Sequence, residues 1–464
     1  MSKVIRPRYL VAWLLVLSLV LTAACTREVV KEVPVEKVVV KEVVKEVPTE
    51  VVVTKEVVKE VEVPVVVVKE VVREVKVPVA AAPPLKIGQL NSFTGSLSYF
   101  GPAHRNGATL AADHINLAGG ILGGPVIIVS RDTQTTPQVG VDAARALVDV
   151  ENVVGIVGAL ASGVTIPVAL SVTGPSGVIQ ISGASTSPAI TVLEDNDFLF
   201  RTTVSDAAQG VVLGRLAREL GFNSASALYI NNAYGQGLAE QFKTTFEAEG
   251  GTVQELVAHE DTQPSFTSEL SKATAGNPDV LVAISYPGQA QIYLREALEG
   301  GYIDSFLFVD GTKAPDMFEA LGWASFEGFH GTAPGSALTD ARRTFDRDYA
   351  TAFAVEVPPL PFIAETYDAV VLIALASAKA GTTTDSTKIR DALRSVANSP
   401  GEVVGPGVAS ISRALELIRQ GVDINYEGAA GSQDFDENGD VISTIEIWKI
   451  EGGEVVSTGR FELP

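Results

Sequence analysis

From Leu85 onward, short runs of β-branched and apolar residues alternate with segments whose apolar positions recur every three or four residues. The runs Leu85–Leu90, Val126–Val129, Val153–Val157 and Val178–Ile181 predict strands. Between them, Asn106–Leu117, Val139–Val150 and a segment starting near Thr165 predict helices. The strands are apolar at nearly every position, the mark of a parallel sheet covered on both faces. The pattern then restarts. Ala225–Ile230, Val253–Ala258, Asp279–Ile284 and Phe306–Val309 read as strands, with helices over Gly237–Ala248 and Gln289–Leu298. Helices at Ala341–Phe353 and Glu365–Ala380 follow, and a β-rich tail begins at Asp434.

Two doubly wound parallel-sheet units in series predict an α/β protein of two lobes joined by a hinge, with a cleft between them. One lobe takes residues 85–203 with about 334–441, the other 204–333 with about 442–464. In such sheets ligands bind at the carboxyl ends of the strands, where loops and helix starts present N–H groups.

The first 84 residues follow other rules. Residues 26–84 are almost entirely Val, Glu, Lys and Pro, with a fourteen-residue repeat: Glu28-Val-Val-Lys-Glu-Val-Pro34 returns as Glu42-Val-Val-Lys-Glu-Val-Pro48. Valines such as Val30, Val44 and Val58 share one heptad position, and Val33, Val47 and Val61 stand three residues later. That spacing suits a coiled coil. Pro34, Pro48 and Pro64 interrupt a long helix, and valine favours extended backbone. A semi-extended stalk is the first expectation and a self-associating coiled coil the second. Residues 1–25 begin with Lys3, Arg6 and Arg8, continue through an apolar run over Leu10–Ala24, and end at Cys25. The run is shorter than the roughly 20 residues a spanning helix needs, and reads as a secretory signal.

Composition then narrows the function. The globular zone carries −23, more than the whole formal charge of −21, because the leader adds +3 and the spacer only −1. Such a surface repels nucleic acid, so no nucleic-acid partner is expected. Cys25 is the single cysteine, which excludes an internal disulfide and any cysteine-based metal site. His104, His114, His259 and His330 lack metal-ligand spacing and read as structural or surface residues. The stretch Asp434-Phe-Asp-Glu-Asn-Gly-Asp440 resembles a calcium loop, but its twelfth position is Ile445 rather than Glu; Asn438-Gly439 reads as a hairpin turn. No metal or cofactor is implied. No Gly-x-Ser-x-Gly, P-loop or His-Glu-x-x-His motif occurs, so an enzyme is not expected.

A set of motifs in fixed order adds a resemblance. It comprises Gly88-Gln-Leu-Asn-Ser-Phe-Thr-Gly95 with Phe100-Gly101, Val157-Gly-Ala-Leu-Ala-Ser162, Ile181-Ser-Gly-Ala-Ser-Thr-Ser-Pro188, Asn232-Ala-Tyr-Gly-Gln-Gly237 and Ala364-Glu-Thr-Tyr-Asp-Ala369. Residues 85–464 resemble the branched-chain amino-acid (leucine/isoleucine/valine) binding proteins of ABC transporters, which have the periplasmic-binding-protein type I fold. Leu21-Thr-Ala-Ala-Cys25 resembles a bacterial lipoprotein signal, with Thr22 where leucine is usual. That implies a lipid on Cys25 and attachment to the outer face of a membrane; plain cleavage after Ala24 is the alternative.

The resemblance implies a small-molecule ligand, an ABC permease as partner, and particular contacts. Ser162, Ala184 and Thr186 match groups that hold the ligand's carboxylate, Tyr234 a tyrosine closing from the second lobe, and Phe100 an aromatic wall. For the ammonium group the family places Glu three residues before a Phe. Here Phe266 puts Gln263 at that place, leaving Asp261 and Asp310 as other candidates, or a ligand without an amine. Each residue also has a plain structural role open to it. Ser162 and Thr186 suit helix caps, Tyr234 suits packing, and Asp310-Gly311 suits a turn. A sensor with the same fold is the alternative to an importer component.

Overall fold

A computed structural model describes residues 81–464, together with the spacer segments Val39–Val47, Glu50–Val58 and Val75–Pro78. The leader with Cys25, and the remainder of the spacer, lie outside the described residues. The three spacer segments are strands of one sheet, so their heptad-spaced valines are set on extended backbone.

The first lobe is built on a five-stranded, wholly parallel sheet in the order Val126–Asp132, Leu85–Asn91, Gly155–Gly158, Ile179–Ser182, Leu199–Arg201. Its strands are short and apolar because both faces are covered. Leu85, Ile87 and Ile179 pack against helices Gly101–Leu117 and Ile363–Ala380 on one side. Leu90 and Ile156 pack with Val141, Ala144, Val164 and Val168 of helices Pro137–Arg145 and Ser162–Val168 on the other. Every residue from Ile363 to Ser377 is buried, which requires a helix apolar nearly all round.

The second lobe holds seven strands in the order Thr252–His259, Ser224–Ile230, Val280–Ile284, Phe306–Phe308, His330–Pro334, Ile445–Glu451, Glu454–Glu462. The first five are parallel; the last two are antiparallel and come from the chain's end. The β-rich tail expected from Asp434 is this pair, preceded by a turn in which Phe435 bridges Val441 and Gly439 has φ +76°.

Helix starts differ most from expectation. Helix Gly101–Leu117 begins five residues early because Pro102 suits a first turn. Helix Ala233–Ala248 begins at an Asn232 cap whose side chain accepts from Tyr234 N and Gly235 N. Helices Asp206–Glu219, Ser386–Ala397 and Val408–Arg419 were absent from the sequence expectation.

In each sheet the strand order reverses beside the first strand of its lobe: between Leu85–Asn91 and Gly155–Gly158, and between Ser224–Ile230 and Val280–Ile284. The carboxyl ends at these two points are where a ligand is expected. The chain passes between the sheets three times: after Leu199–Arg201, after His330–Pro334, and before Ile445–Glu451.

Candidate functional site

The loops leaving the two reversal points enclose a cavity of about 30 Å³. Leu97, Phe100, Leu160, Ser162 and Ala184 line it from the first lobe, and Tyr234, Tyr286, Asp310 and Gly311 from the second; His104 and Phe362 complete it. Five of the seven residues expected from sequence therefore meet here: Phe100, Ser162, Ala184, Tyr234 and Asp310. A space of that size holds no more than one or two waters, so an amino-acid-sized solute requires the lobes to part first.

Ser162 opens its helix but does not cap it: the cap position is Ala161, and Ser162 Oγ accepts a hydrogen bond from Ser187 N at 3.2 Å. The hydroxyl thus ties together the two first-lobe loops that carry the candidate groups. Ala184 N donates to Ser182 Oγ (3.3 Å). A side chain at Gly183 would come within 2.8 Å of Thr366 N, so only glycine lets this loop approach helix Ile363–Ala380 so closely. Arg201, fully buried, holds the loop from below. It donates to Ser187 O (2.9 Å) and makes a two-pronged pair with Asp440 (Nε–Oδ1 2.5 Å, Nη2–Oδ2 2.6 Å). The acidic stretch Asp434–Asp440 therefore serves to anchor an arginine.

Thr186 does not line the cavity. Its hydroxyl donates to Asp206 Oδ2 (2.8 Å), across the first passage between lobes. Gln263 is likewise elsewhere: its Oε1 accepts from Glu260 N (2.6 Å) and its Nε2 donates to Ser265 O (3.2 Å), closing its own loop. Phe266 is buried against His259 and Tyr293, so the segment is directed into the second lobe's core rather than the cleft. Asp261 accepts from Ser96 Oγ of the opposite lobe, outside the cavity lining.

The acid in the cleft is Asp310. Tyr234 Oη donates to its Oδ1 at 2.9 Å, and Gln209 Nε2 to the same atom at 2.8 Å. A side chain at Gly311 would lie 2.9 Å from Tyr234 Oη, so the Asp-Gly sequence permits this close approach. Burial pushes the Asp310 carboxyl up to about 6, with the Gln209 and Tyr234 hydrogen bonds opposing. Asp206, also fully buried, is raised well above the ordinary range by burial and then by the charge of Asp310. Among the described residues, Asp206 Oδ1 and Gln209 Oε1 have no hydrogen-bond partner. Two neighbouring acids, with unmet oxygens on Asp206 and on Gln209 beside them, favour a cationic donor.

The rest of the wall is apolar or neutral. Tyr234 stacks on Tyr286 with ring centres 5.8 Å apart. Burial pushes His104 down to about 4, which keeps it neutral, with Nε2 3.1 Å from Pro361 O. Sequence reasoning missed His104, Tyr286 and Phe362. Tyr286 alone carried a signal, since it follows directly on the strand run ending at Ile284. Among the described residues no helix is long and apolar enough to cross a membrane.

Comparison with known proteins supplies the family. The family described as "Periplasmic binding protein" matches residues 84–413. A chemotactic signal transduction system substrate-binding protein, BasB, of Halobacterium salinarum is 27% identical over 397 residues, 82% of this chain and 92% of its own. A leucine-, isoleucine-, valine-, threonine- and alanine-binding protein of Pseudomonas aeruginosa is 29% identical over 323 residues, 68% of this chain and 83% of its own. The crystal structure of a leucine-binding protein, LivK, of Thermotoga maritima superposes with a TM-score of 0.68 at 26% identity, covering 82% of this chain and 97% of that one. The family and these relatives are substrate-binding proteins rather than enzymes. The two-lobed fold, the convergence of both reversal points on one cavity and the match along most of the globular zone place the chain in the periplasmic binding protein family, with the type I fold that branched-chain amino-acid binding proteins also have.

Proposed function

We propose that this protein captures an α-amino acid outside the cell and delivers it to the permease of an ABC importer. The observation that carries the reading is that Ser162 and Asp310 stand on opposite lobes and line the same cavity. A hydroxyl on one wall suits the solute's carboxylate, and a buried acid on the other suits its ammonium group. With residues 85–203 and 334–441 as one lobe and 204–333 and 442–464 as the other, the solute bridges the two and favours the closed state, as hinge closure around a ligand requires. Ala184 adds backbone groups to the carboxylate side, Phe100 and Tyr234 form the aromatic walls, and Thr186 acts indirectly by holding Asp206. Gln263 has no part in it.

The test is titration calorimetry of the purified chain with amino acids, the matching plain carboxylates and the matching amides. Amino acids are expected to bind, and Asp310→Asn to weaken them without weakening plain carboxylates. Binding of carboxylates alone, indifferent to Asp310, would remove the ammonium site from the reading.

A sensor role is the second reading, favoured by the relative whose name places it in chemotactic signal transduction. Uptake of labelled solute by cells, lost on deleting the protein, decides for import; loss of a behavioural response with uptake intact decides for sensing. Lipidation of Cys25 would place either activity at the membrane's outer face, at the end of the Val/Glu/Lys spacer. Cys25→Ala is then expected to release the protein from the membrane fraction, and retention would dismiss the anchor.

A further inference from the structure

A second chamber lies between the lobes beyond Phe362, about 230 Å³ in volume against about 30 Å³ for the cavity holding Ser162 and Asp310. The same two elements wall both spaces. The turn Asp310–Thr312 contributes Asp310 and Gly311 to the small cavity, and Lys313 just beyond it lines the chamber. From the first lobe, Phe362 faces both, and Ile363–Glu365 at the start of the next helix continue into the chamber.

The chamber is lined by apolar residues such as Leu338, Val357, Leu360 and Ile363 as well as by charged ones, and its charges do not cancel. Lys313 is paired with Glu446 at 2.6 Å, and Arg342 with Asp346 at 2.7 Å. Both cations thus already have carboxylates of their own. Glu365 lines the same space and is 7% exposed, and among the described residues its carboxylate has no hydrogen-bond or ion-pair partner in another residue. Burial pushes Glu365 up to about 7, with Arg342 and Lys313 opposing and Asp368 reinforcing. Ser336 Oγ, on the chamber's far side, is also buried without a partner. A buried carboxylate held only by its own backbone N–H is costly unless a further donor meets it. Nearer the cleft, Asp206 and Asp310 present the same excess of negative charge, since buried Arg201 is paired with Asp440.

We propose that the solute is a basic amino acid, whose side chain passes Phe362 into this chamber and ends with its cation on Glu365. The proposal rests on the amino-acid reading above, and names the class of side chain. The α-carboxylate and α-ammonium stay in the small cavity with Ser162 and Asp310, and the aliphatic stem runs along Phe362. The distal ammonium or guanidinium supplies the charge that Glu365 lacks.

The purified full chain is titrated with lysine, arginine and leucine. Lysine or arginine is expected to bind at least tenfold more tightly than leucine. Glu365→Gln keeps the shape of the side chain, and is expected to cost the basic amino acid at least tenfold while leaving leucine within twofold. A second readout needs no variant: the ratio of lysine to leucine affinity is expected to fall as pH drops below about 7, because Asp310 affects both solutes alike and Glu365 only one. Leucine binding as tightly as lysine, with Glu365→Gln and pH both without effect on the ratio, overturns the chamber's role. If Ser162→Ala still weakens leucine binding at least tenfold in that case, the amino-acid site itself stands. Failure of all three solutes to bind overturns the amino-acid reading and this proposal with it.

Discussion

The two walls of the cleft are built on opposite principles. In the small cavity, the first lobe's candidate polar groups are neutral and already hydrogen-bonded: Ser162 to Ser187, Ala184 to Ser182, and the loop beneath them to Arg201. On the second lobe the charged candidate is the acid Asp310, beside which Asp206 and Gln209 hold oxygens that nothing among the described residues meets. The first wall is a rigid cradle; the second stores an electrostatic deficit that a bound cation relieves. A solute satisfying both is bound with a difference between open and closed states, which is what closure needs.

Removing the support of the rigid wall has the largest expected effect. Arg201→Met leaves Asp440 buried without its cation and frees the Ser182–Ser187 loop. Breaking such a pair costs about 3–5 kcal/mol. Denaturant unfolding is expected to show a loss of this size, together with loss of solute binding. A variant with unchanged midpoint would mean that the cradle is held by its backbone alone.

The acidic wall is broken by Asp310→Asn, and here stability and affinity move in opposite directions. The folded-state pKa of Asp310 is raised, to about 6, above the ordinary carboxylate range. Its protonated form therefore contributes stability that is fully present below about pH 4 and is lost as pH rises through about 6. The unliganded Asp310→Asn protein is expected to melt higher than the parent at pH 7, with the gap closing towards pH 4. Affinity for an amino acid behaves oppositely, because the ammonium group needs the ionised carboxylate. It falls as pH drops through about 6, and it falls by about 2–5 kcal/mol in Asp310→Asn at pH 7. A melting gap independent of pH would place the charge elsewhere.

Ser162→Ala should cost less, about 1.5–3 kcal/mol for a hydrogen bond to a charged group. It should weaken every carboxylate-bearing solute equally, with no pH dependence between 5 and 8. Calorimetry on a plain carboxylate and on its α-amino counterpart separates the two walls. If the serine substitution is selective for the amine, the assignment of groups to walls is reversed.

Much of this difference was legible in the sequence, and unevenly so. Ser162, Ala184, Phe100 and Tyr234 follow strand ends that the apolar runs mark out, and the alternation of elements predicts where those ends converge. Asp310 could be named for the same reason, since it follows Phe306–Val309. What sequence could not supply was pairing across space. Asp206 opens a helix the periodicity did not reveal, and its partnership with Thr186 spans 20 residues and the passage between lobes. Arg201 and Asp440 are 239 residues apart. Glu365 lies in a helix so thoroughly buried that its apolar pattern has no face from which a pocket could be read. Tertiary packing decides such positions, and it leaves no local periodic trace.

The smallest expected effect concerns the residue where motif and structure part. Counting back from Phe266 put Gln263 at an acid's place, but that count assumes the loop after Thr252–His259 faces the cleft. Only Asp261 of that loop reaches the opposite lobe, at Ser96: Phe266 is drawn into the second lobe's core beside His259 and Tyr293, and Gln263 is left to close its own turn on Glu260 N and Ser265 O. Gln263→Ala should leave amino-acid affinity within twofold of the parent, because no cavity contact is lost. Its cost should appear only as about 0.5–1.5 kcal/mol of stability, the worth of an ordinary hydrogen bond. Restoring an acid with Gln263→Glu should likewise fail to raise affinity, since a carboxylate there stands outside the cavity that Asp310 lines. A clear gain in that variant would show that the loop turns inward when solute binds, and the acidic wall would then extend beyond Asp206 and Asp310.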